Sequence, residues 1–158
     1  TENIMMWGRI TGNIEGAEER VVRFNSELDA IIEAMKDVKT FTRILQDVGG
    51  LWVPGSDTLI GEVFELLKLE NIASDLSGYE QISPEAVVAG DPQVIITVSP
   101  DTFTKNEAFK NLSAVKNQKV FSLSSDSLST AGPRFVEGIK ELGRLIYPEI
   151  FETDLQRN

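Results

Sequence analysis

Six apolar residues, Ala17, Val21, Phe24, Leu28, Ile31 and Met35, recur at spacings of 4, 3, 4, 3 and 4. That period makes one stripe along an α-helix and fits no strand. The intervening faces carry Glu18, Glu19, Arg20, Arg23, Glu27, Asp29 and Glu33, so one side of the helix is wetted while the other is covered. The pattern runs from Asn13 to Lys39. At ~1.5 Å per residue it predicts a helix about 35–40 Å long, the width of a small domain. Such a helix is either a spine packed along a core or a partner in a coiled coil, and in neither case does it hold chemistry.

Upstream, Gly8, Gly12 and Gly16 stand four apart. With Arg9, Asn13 and Glu15 between them, the spacing is a poor membrane dimer motif; it predicts close backbone approach or a helix that begins after a break. Beyond Lys39 the period shortens. Thr40 to Val48 reads as a strand ended by Gly49-Gly50, and Leu51 to Ser56 as a loop. Asp57 to Leu69 reads as a helix with Leu59, Ile60, Val63, Phe64 and Leu67 inward and Ser56 or Asp57 as its cap. Asn71 to Gln81 is polar and reads as a loop. Ser83-Pro84-Glu85 is a helix start, with a Ser cap, Pro at the first helical position and an acid in the first turn. Gln93 to Ser99 is a strand whose near-continuous apolar run implies cover on both faces. A short helix over Asn106–Leu112, a strand over Lys119–Leu123 and a helix over Pro133–Ile146, with Phe135, Ile139, Leu142 and Ile146 inward, complete the pattern. Strands alternating with helices predict a parallel α/β sheet.

The chain has 158 residues and contains neither Cys nor His. Without Cys there is no disulfide framework, iron–sulfur cluster, thiolate zinc site or cysteine nucleophile. Without His there is no Ser-His-Asp triad and no histidine ligand for zinc or haem from this chain. Lys and Arg number 15 against 25 Asp and Glu, a net charge of -10, and the basic residues are scattered. Such a surface repels phosphate backbones, so nucleic acid is not an expected partner. No segment approaches the ~20 apolar residues that span a bilayer. The first residue is Thr, and the short Ile4-Met5-Met6-Trp7 run is not a signal peptide, so a fragment or processed form is expected. Walker A, G-x-G-x-x-G and G-x-S-x-G patterns are all missing. Carboxylates are numerous, yet Glu18-Glu19, Asp57, Glu62, Glu65 and Glu137 fall on predicted helix faces or caps, and no pair is singled out for hydrolytic work.

Two aromatics fall in predicted loops on the carboxyl side of the sheet, where open α/β sheets hold ligands. Trp52 follows the first strand, and Tyr79 lies in the loop before Ser83. Each offers a flat apolar face with a polar edge. The alternative for both is that they cap the core where loops cross it.

Taken in order, these pieces resemble the C-terminal half of the substrate-binding proteins of ABC-type importers for iron chelates and cobalamin. Trp7-Gly8-Arg9-Ile10-Thr11-Gly12 before an acidic helix start looks like the end of a first lobe entering the long linking helix. Leu69-Glu70-Asn71-Ile72-Ala73 is similar to the family's "G-x-N-I-A" ending, with Leu69-Glu70 where Gly is usual. Gln81-Ile82-Ser83-Pro84-Glu85 followed by Asp91-Pro92-Gln93-Val94-Ile95-Ile96 resembles "I-S-x-E-x-(L/V)" leading to "(N/S)-P-D-x-I-(I/V)". Gly132-Pro133-Arg134 opens a last helix that ends in Tyr147-Pro148-Glu149.

The resemblance implies a Rossmann-like α/β lobe preceded by one long helix. Residues 1–12 would be the end of an N-terminal lobe, 13–39 the linking helix, 40–151 the C-terminal substrate-binding lobe and 152–158 a tail. It implies that Tyr79, Trp52, Ser129 and Thr130 face a ligand and that Glu85 docks to Arg residues of the permease; the local alternative for Glu85 is simply helix capping. It implies no catalysis and no resident cofactor. The ligand would be a ferric siderophore, cobalamin or haem, and none of the matched loop positions is Arg or Lys, which tilts the choice toward a corrinoid or a neutral hydroxamate chelate. Implied partners are the ABC permease subunits. Implied location is outside the cytoplasm, with membrane association through the permease or a lipid anchor outside this chain. An isolated lobe with an uncovered apolar face is prone to self-association. The competing classes are an α/β protein-interaction module without a small ligand, for which Asp47 alone makes no phosphoacceptor cluster, and a carboxylate enzyme on a flavodoxin-like sheet.

Overall fold

The computed structural model describes residues 2–122 and 135–154. In chain order the elements are α1 (Glu2–Thr11), α2 (Ile14–Met35), β1 (Thr42–Asp47), β2 (Trp52–Pro54), α3 (Leu59–Leu66), β3 (Leu69–Asn71), β4 (Tyr79–Gln81), α4 (Pro84–Gly90), β5 (Val94–Thr97), α5 (Asp101–Thr104), α6 (Ser113–Lys116), β6 (Val120–Phe121), α7 (Phe135–Ile146) and α8 (Pro148–Asp154). The chain divides into two units, Thr1–Asp37 with Thr130–Asn158 and Val38–Ser129.

The first unit is helical among its described residues. The stripe expected on α2 is the face that is covered: Ala17, Ile31 and Met35 are buried, and Val21, Phe24 and Leu28 partly so. Asn13 caps the helix, its side-chain oxygen accepting the Gly16 N–H at 3.1 Å. The helix ends at Met35 rather than Lys39, where the Lys36 N–H turns back to the Glu33 carbonyl and tightens the last turn. The segment before it forms α1, which the sequence reading left unassigned. Its three glycines answer three different needs. A Cβ on Gly8 would stand 2.4 Å from Ala17 Cβ, where α1 meets α2; Gly12 turns the chain at φ +72°; a Cβ on Gly16 would strike the Asn13 cap at 2.7 Å. Lys140 on α7, its side chain 13% exposed, pairs with Glu27 on α2 at 3.0 Å. α7 buries Phe135, Ile139, Leu142 and Ile146 as expected. α8 then packs Phe151 where a Cβ on Gly143 would stand, 2.4 Å from the ring, and continues to Asp154, past the point where a polar tail was expected to begin.

The second unit is a four-stranded parallel sheet in the order β3-β1-β5-β6. The central pairing sets Ile44 against Val94, Leu45 against Ile95, Gln46 against Ile96 and Asp47 against Thr97. Leu45 and Ile95 face a core of Val53, Val87, Phe103, Phe109, Leu112 and Ala114, and the Phe103 and Phe109 rings lie 5.2 Å apart, tilted. Ile44, Val94 and Ile96 alternate to the opposite face and are also buried. The expected double cover of β5 is therefore present.

Four local expectations need correction. The helix expected from Asp57 is α3, and its cap is Thr58, whose Oγ1 accepts the Gly61 N–H at 3.1 Å and donates to the Gly55 carbonyl at 2.8 Å. It stops at Leu66, because Lys68 takes a left-handed conformation at φ +54° and Leu69 enters β3. The two expected loops contain short strands, β2 and β4, which pair antiparallel in a separate two-stranded sheet. Asn106–Leu112 forms turns rather than a helix. Asn106 Oδ1 accepts the Ala108 N–H at 3.0 Å, and the one-turn helices lie on either side.

Gly61 sits where a Cβ would come 2.4 Å from the Ser56 carbonyl oxygen and 2.6 Å from that of Gly55. Backbone cannot yield as a side-chain tip does. Gly61→Ala is expected to lower unfolding free energy by about 1–3 kcal/mol, read from urea denaturation. The exposed neighbouring change Glu62→Ala is expected to stay within about 0.5 kcal/mol. Equal midpoints for the two variants would remove the close approach as a constraint.

Candidate functional site

At the carboxyl ends of β1 and β5 lies a buried carboxylate, Asp47, 1% exposed. Its Oδ2 accepts the Thr97 hydroxyl at 2.8 Å. Its Oδ1 accepts two backbone N–H groups, those of Gly49 and Leu51, both at 2.9 Å. The loop between is unusual. Gly49, Gly50 and Leu51 have φ of +121°, +64° and +62°, and a leucine in the left-handed region costs roughly 1–2 kcal/mol. Converging N–H groups of this kind form a concavity that suits an anion, and here the chain's own carboxylate fills it.

The loop delivers Trp52 to β2, where Val48 N–H donates to the Trp52 carbonyl and Trp52 N–H to that of Gly49. β2 and β4 pair with Trp52 opposite Gln81, Val53 opposite Glu80 and Pro54 opposite Tyr79. Opposed residues share a face and neighbours alternate. Trp52, Pro54, Tyr79 and Gln81 therefore lie on one face, while Val53 on the other is fully buried in the core. Trp52 is 47% exposed and Tyr79 46%. Two aromatics from separate segments thus stand at diagonal positions of one half-exposed face, which forms a platform.

The platform is tied down at each edge. Asn71, at the end of β3, donates from Nδ2 to the Pro54 carbonyl at 2.9 Å and accepts the Ala73 N–H at 3.0 Å. Gln81 Nε2 donates to the Gly50 carbonyl at 2.8 Å. Gly55 N–H donates to the Gly78 carbonyl at 2.7 Å, and a Cβ on Gly55 would overlap the Leu76 carbonyl at 2.0 Å. Asp57 accepts the Ser77 hydroxyl at 2.7 Å and the Gly78 N–H at 2.6 Å.

Glu85 stands apart, exposed in the first turn of α4, which Ser83 caps by accepting the Ala86 N–H at 3.2 Å. Its own backbone N–H, then the Ser83 hydroxyl, hold the Glu85 carboxyl below its ordinary value. Ser129 and Thr130 lie outside the described residues. Among the described residues no group of three or more acidic side chains is placed to hold a metal ion, and no helix is long and apolar enough to cross a membrane. Asp47, Asn71 and Asp57 were not among the expected site residues. The signal for Asp47 was present as an Asp ending a strand just before Gly49-Gly50, an arrangement in which the side chain satisfies the turn's N–H groups.

The Ser77 hydroxyl and then the Gly78 N–H also depress Asp57, from an ordinary value of 3.8. With the folded value below the unfolded one, its contribution is present above the ordinary value and is lost as pH falls through the folded one. The Gly78 amide resonance is expected to titrate by NMR with a midpoint below 3.8; a midpoint at or above it would show that Asp57 does not hold this loop.

Residues 1–127 match the sequence model described as periplasmic binding protein. The chain is 29% identical to the uncharacterized ABC transporter substrate-binding lipoprotein YvrC of Bacillus subtilis, across 96% of this chain and 51% of that protein. It is 27% identical to a cobalamin-binding protein of Halobacterium salinarum, across 89% of this chain and 42% of that one. The chain therefore spans about half the length of these relatives or less. The molybdate periplasmic binding protein MolA of Haemophilus influenzae shares the fold, with a TM-score of 0.82 at 21% identity over 96% of this chain and 50% of MolA. The parallel sheet with flanking helices is thus the fold of that structure as well, and the chain belongs to the periplasmic binding protein family.

Proposed function

We propose that this chain is the C-terminal half of an extracytoplasmic solute receptor that captures a metal chelate and hands it to an ABC importer. The observation that carries the reading is the platform itself. Trp52 and Tyr79 share one face of β2–β4, each nearly half exposed, beyond the carboxyl ends of the parallel sheet. Exposed aromatics held this firmly cost little further ordering when a ligand lands on them. The fold is shared with a molybdate binder and the sequence with a cobalamin-binding protein, so the ligand class rests on the side chains. Flat aromatic faces suit a chelate with an apolar or planar surface, of the corrinoid, haem or hydroxamate type, better than a small oxyanion. Ser129 and Thr130 complete this lobe's share of the ligand contacts.

In this reading residues 1–12 close an N-terminal lobe, 13–39 link the lobes, 40–151 form the ligand lobe and 152–158 trail from it. The lobes enclose the chelate without covalent chemistry and change its surroundings only by burial. Glu85 is the docking acid for the permease. Its hydrogen bonds within the first turn leave it exposed and charged, so capping and docking are compatible roles.

Equilibrium dialysis against cyanocobalamin, ferric hydroxamate and catecholate chelates and haemin tests the proposal, on this chain and on the protein with both lobes. Saturable binding of one chelate at a single site is expected, and binding of none by the two-lobed protein would overturn the reading. Tyr79→Ala is expected to weaken that binding about five-fold, the worth of one aromatic contact of about 1 kcal/mol; unchanged affinity would remove Tyr79 from the site. Glu85→Ala is expected to leave ligand affinity unchanged and to slow uptake by cells carrying the importer. Normal uptake would leave Glu85 with capping alone.

A further inference from the structure

We infer that Asp47 is a positioning residue for the ligand face, acting on Trp52 through the strained loop between them. This deepens the proposed function and rests on it, because Asp47 itself touches no part of the platform's exposed face. Three observations converge. The carboxylate is 1% exposed and takes three hydrogen bonds at the carboxyl end of the sheet: Gly49 and Leu51 N–H on one oxygen, the Thr97 hydroxyl on the other. The loop it holds passes through three successive left-handed residues, the last of them Leu51, and a leucine stays in that region only where its surroundings over-determine it. The residue that follows directly is Trp52.

The geometry explains why a carboxylate stands here instead of a hydrophobic residue. β1 is otherwise covered, with Ile44 and Leu45 fully buried, and burying an acid in such a place is costly unless each oxygen is satisfied. Thr97 is the neighbour of Asp47 in register and passes the constraint to the next strand, since its Oγ1 also accepts the Ser99 N–H at 3.0 Å. One acid thus fixes the loops that leave two adjacent strands. Leu51 is tied further by its carbonyl, which accepts the Ile82 N–H at 3.0 Å, and the Gly50 carbonyl accepts Gln81 Nε2. Through Leu51 and Gly50 the constraint reaches β4, the strand that presents Tyr79.

A general stabiliser and a positioning residue differ in what they change below the unfolding transition. Trp7 and Trp52 are the two tryptophans, so Trp7→Phe leaves Trp52 as the single reporter. In that background, and without any ligand, Asp47→Ala is expected to lower the Trp52 anisotropy and to raise its acrylamide quenching constant about two-fold at a temperature where circular dichroism shows an intact fold. Thr97→Val, which removes one of the three bonds and keeps the acid, is expected to move both readouts in the same direction by less, and it serves alone if Asp47→Ala does not fold. Asp47→Asn, which keeps an oxygen where Gly49 and Leu51 need it, is expected to restore the parent values. Unchanged anisotropy and quenching in every folded variant would overturn the positioning role, even if the melting temperature fell.

The ligand arm separates this inference from the reading beneath it. With cyanocobalamin as the probe and the two-lobed protein, Asp47→Ala, or Thr97→Val in its place, is expected to weaken binding up to tenfold when Trp52 is present and to add nothing in a Trp52→Ala background. Additive losses in the two backgrounds would overturn the claim that Asp47 acts through Trp52. If Trp52→Ala binds as tightly as the parent while the fluorescence changes are as expected, the ligand-face reading fails and the mechanical link from Asp47 to Trp52 stands.

Discussion

The pairing of Ile44–Asp47 with Val94–Thr97 is the contact from which the rest of this lobe is built. Both strands are buried along this register, with no residue more than 6% exposed, so neither has water as an alternative partner for its backbone. Unpaired N–H and C=O groups there would cost as much as lost hydrogen bonds. The register is therefore enforced, and what it enforces at the carboxyl end is the meeting of Asp47 with Thr97. A slip by one residue would turn Leu45 and Asp47 together to the opposite face and set Ile44 and Gln46 against the core that holds Phe103 and Phe109. Core and site are thus settled by one alignment.

The sequence was legible where a single period or a single cap decides the structure. The α2 stripe is the covered face because six apolar positions at helical spacing leave no competing arrangement. Ser83-Pro84 opens α4 because a Ser cap in extended backbone and a Pro at the first helical position both suit a helix start. Legibility fails for elements that exist through their partners. β2, β3 and β4 have three residues each, too few to show alternation, and each becomes a strand because another segment offers hydrogen bonds. α1 was obscured because Gly8, a poor helix former, is required by contact with Ala17. Thr58 took the cap expected of Ser56 or Asp57 because Asp57 is engaged by Ser77 and Gly78.

The candidate site divides the same way. Trp52 and Tyr79 are conspicuous in sequence as aromatics among turn residues. Their common face is not, since it depends on an antiparallel register between two segments separated by α3 and β3. The supports are harder still to read. Asn71 stands inside a motif suited to a helix end, yet its side chain works on Pro54. Asp47 looks like any acid at the end of a strand until its three donors are in place.

Under the proposed function these supports share a purpose that follows from the energetics of binding. Any binding surface pays for every degree of freedom it loses on binding, at about 0.5–1.5 kcal/mol for each mobile side chain. In this lobe much of that loss is taken at folding. The β1–β2 loop is held in a conformation unfavourable to leucine, the Leu76 carbonyl excludes even a methyl group at Gly55, and the Tyr79 loop is tied by a carboxylate. The helical unit follows the same rule, with Glu27 receiving both Arg23 and the largely buried Lys140. Strain of this kind lowers folding stability, and the large core of β1, β5, Phe103 and Phe109 offsets it. Under the proposed function, a looser platform would fold more easily and bind less tightly, and the positive-φ loop is what a preorganised ligand face requires.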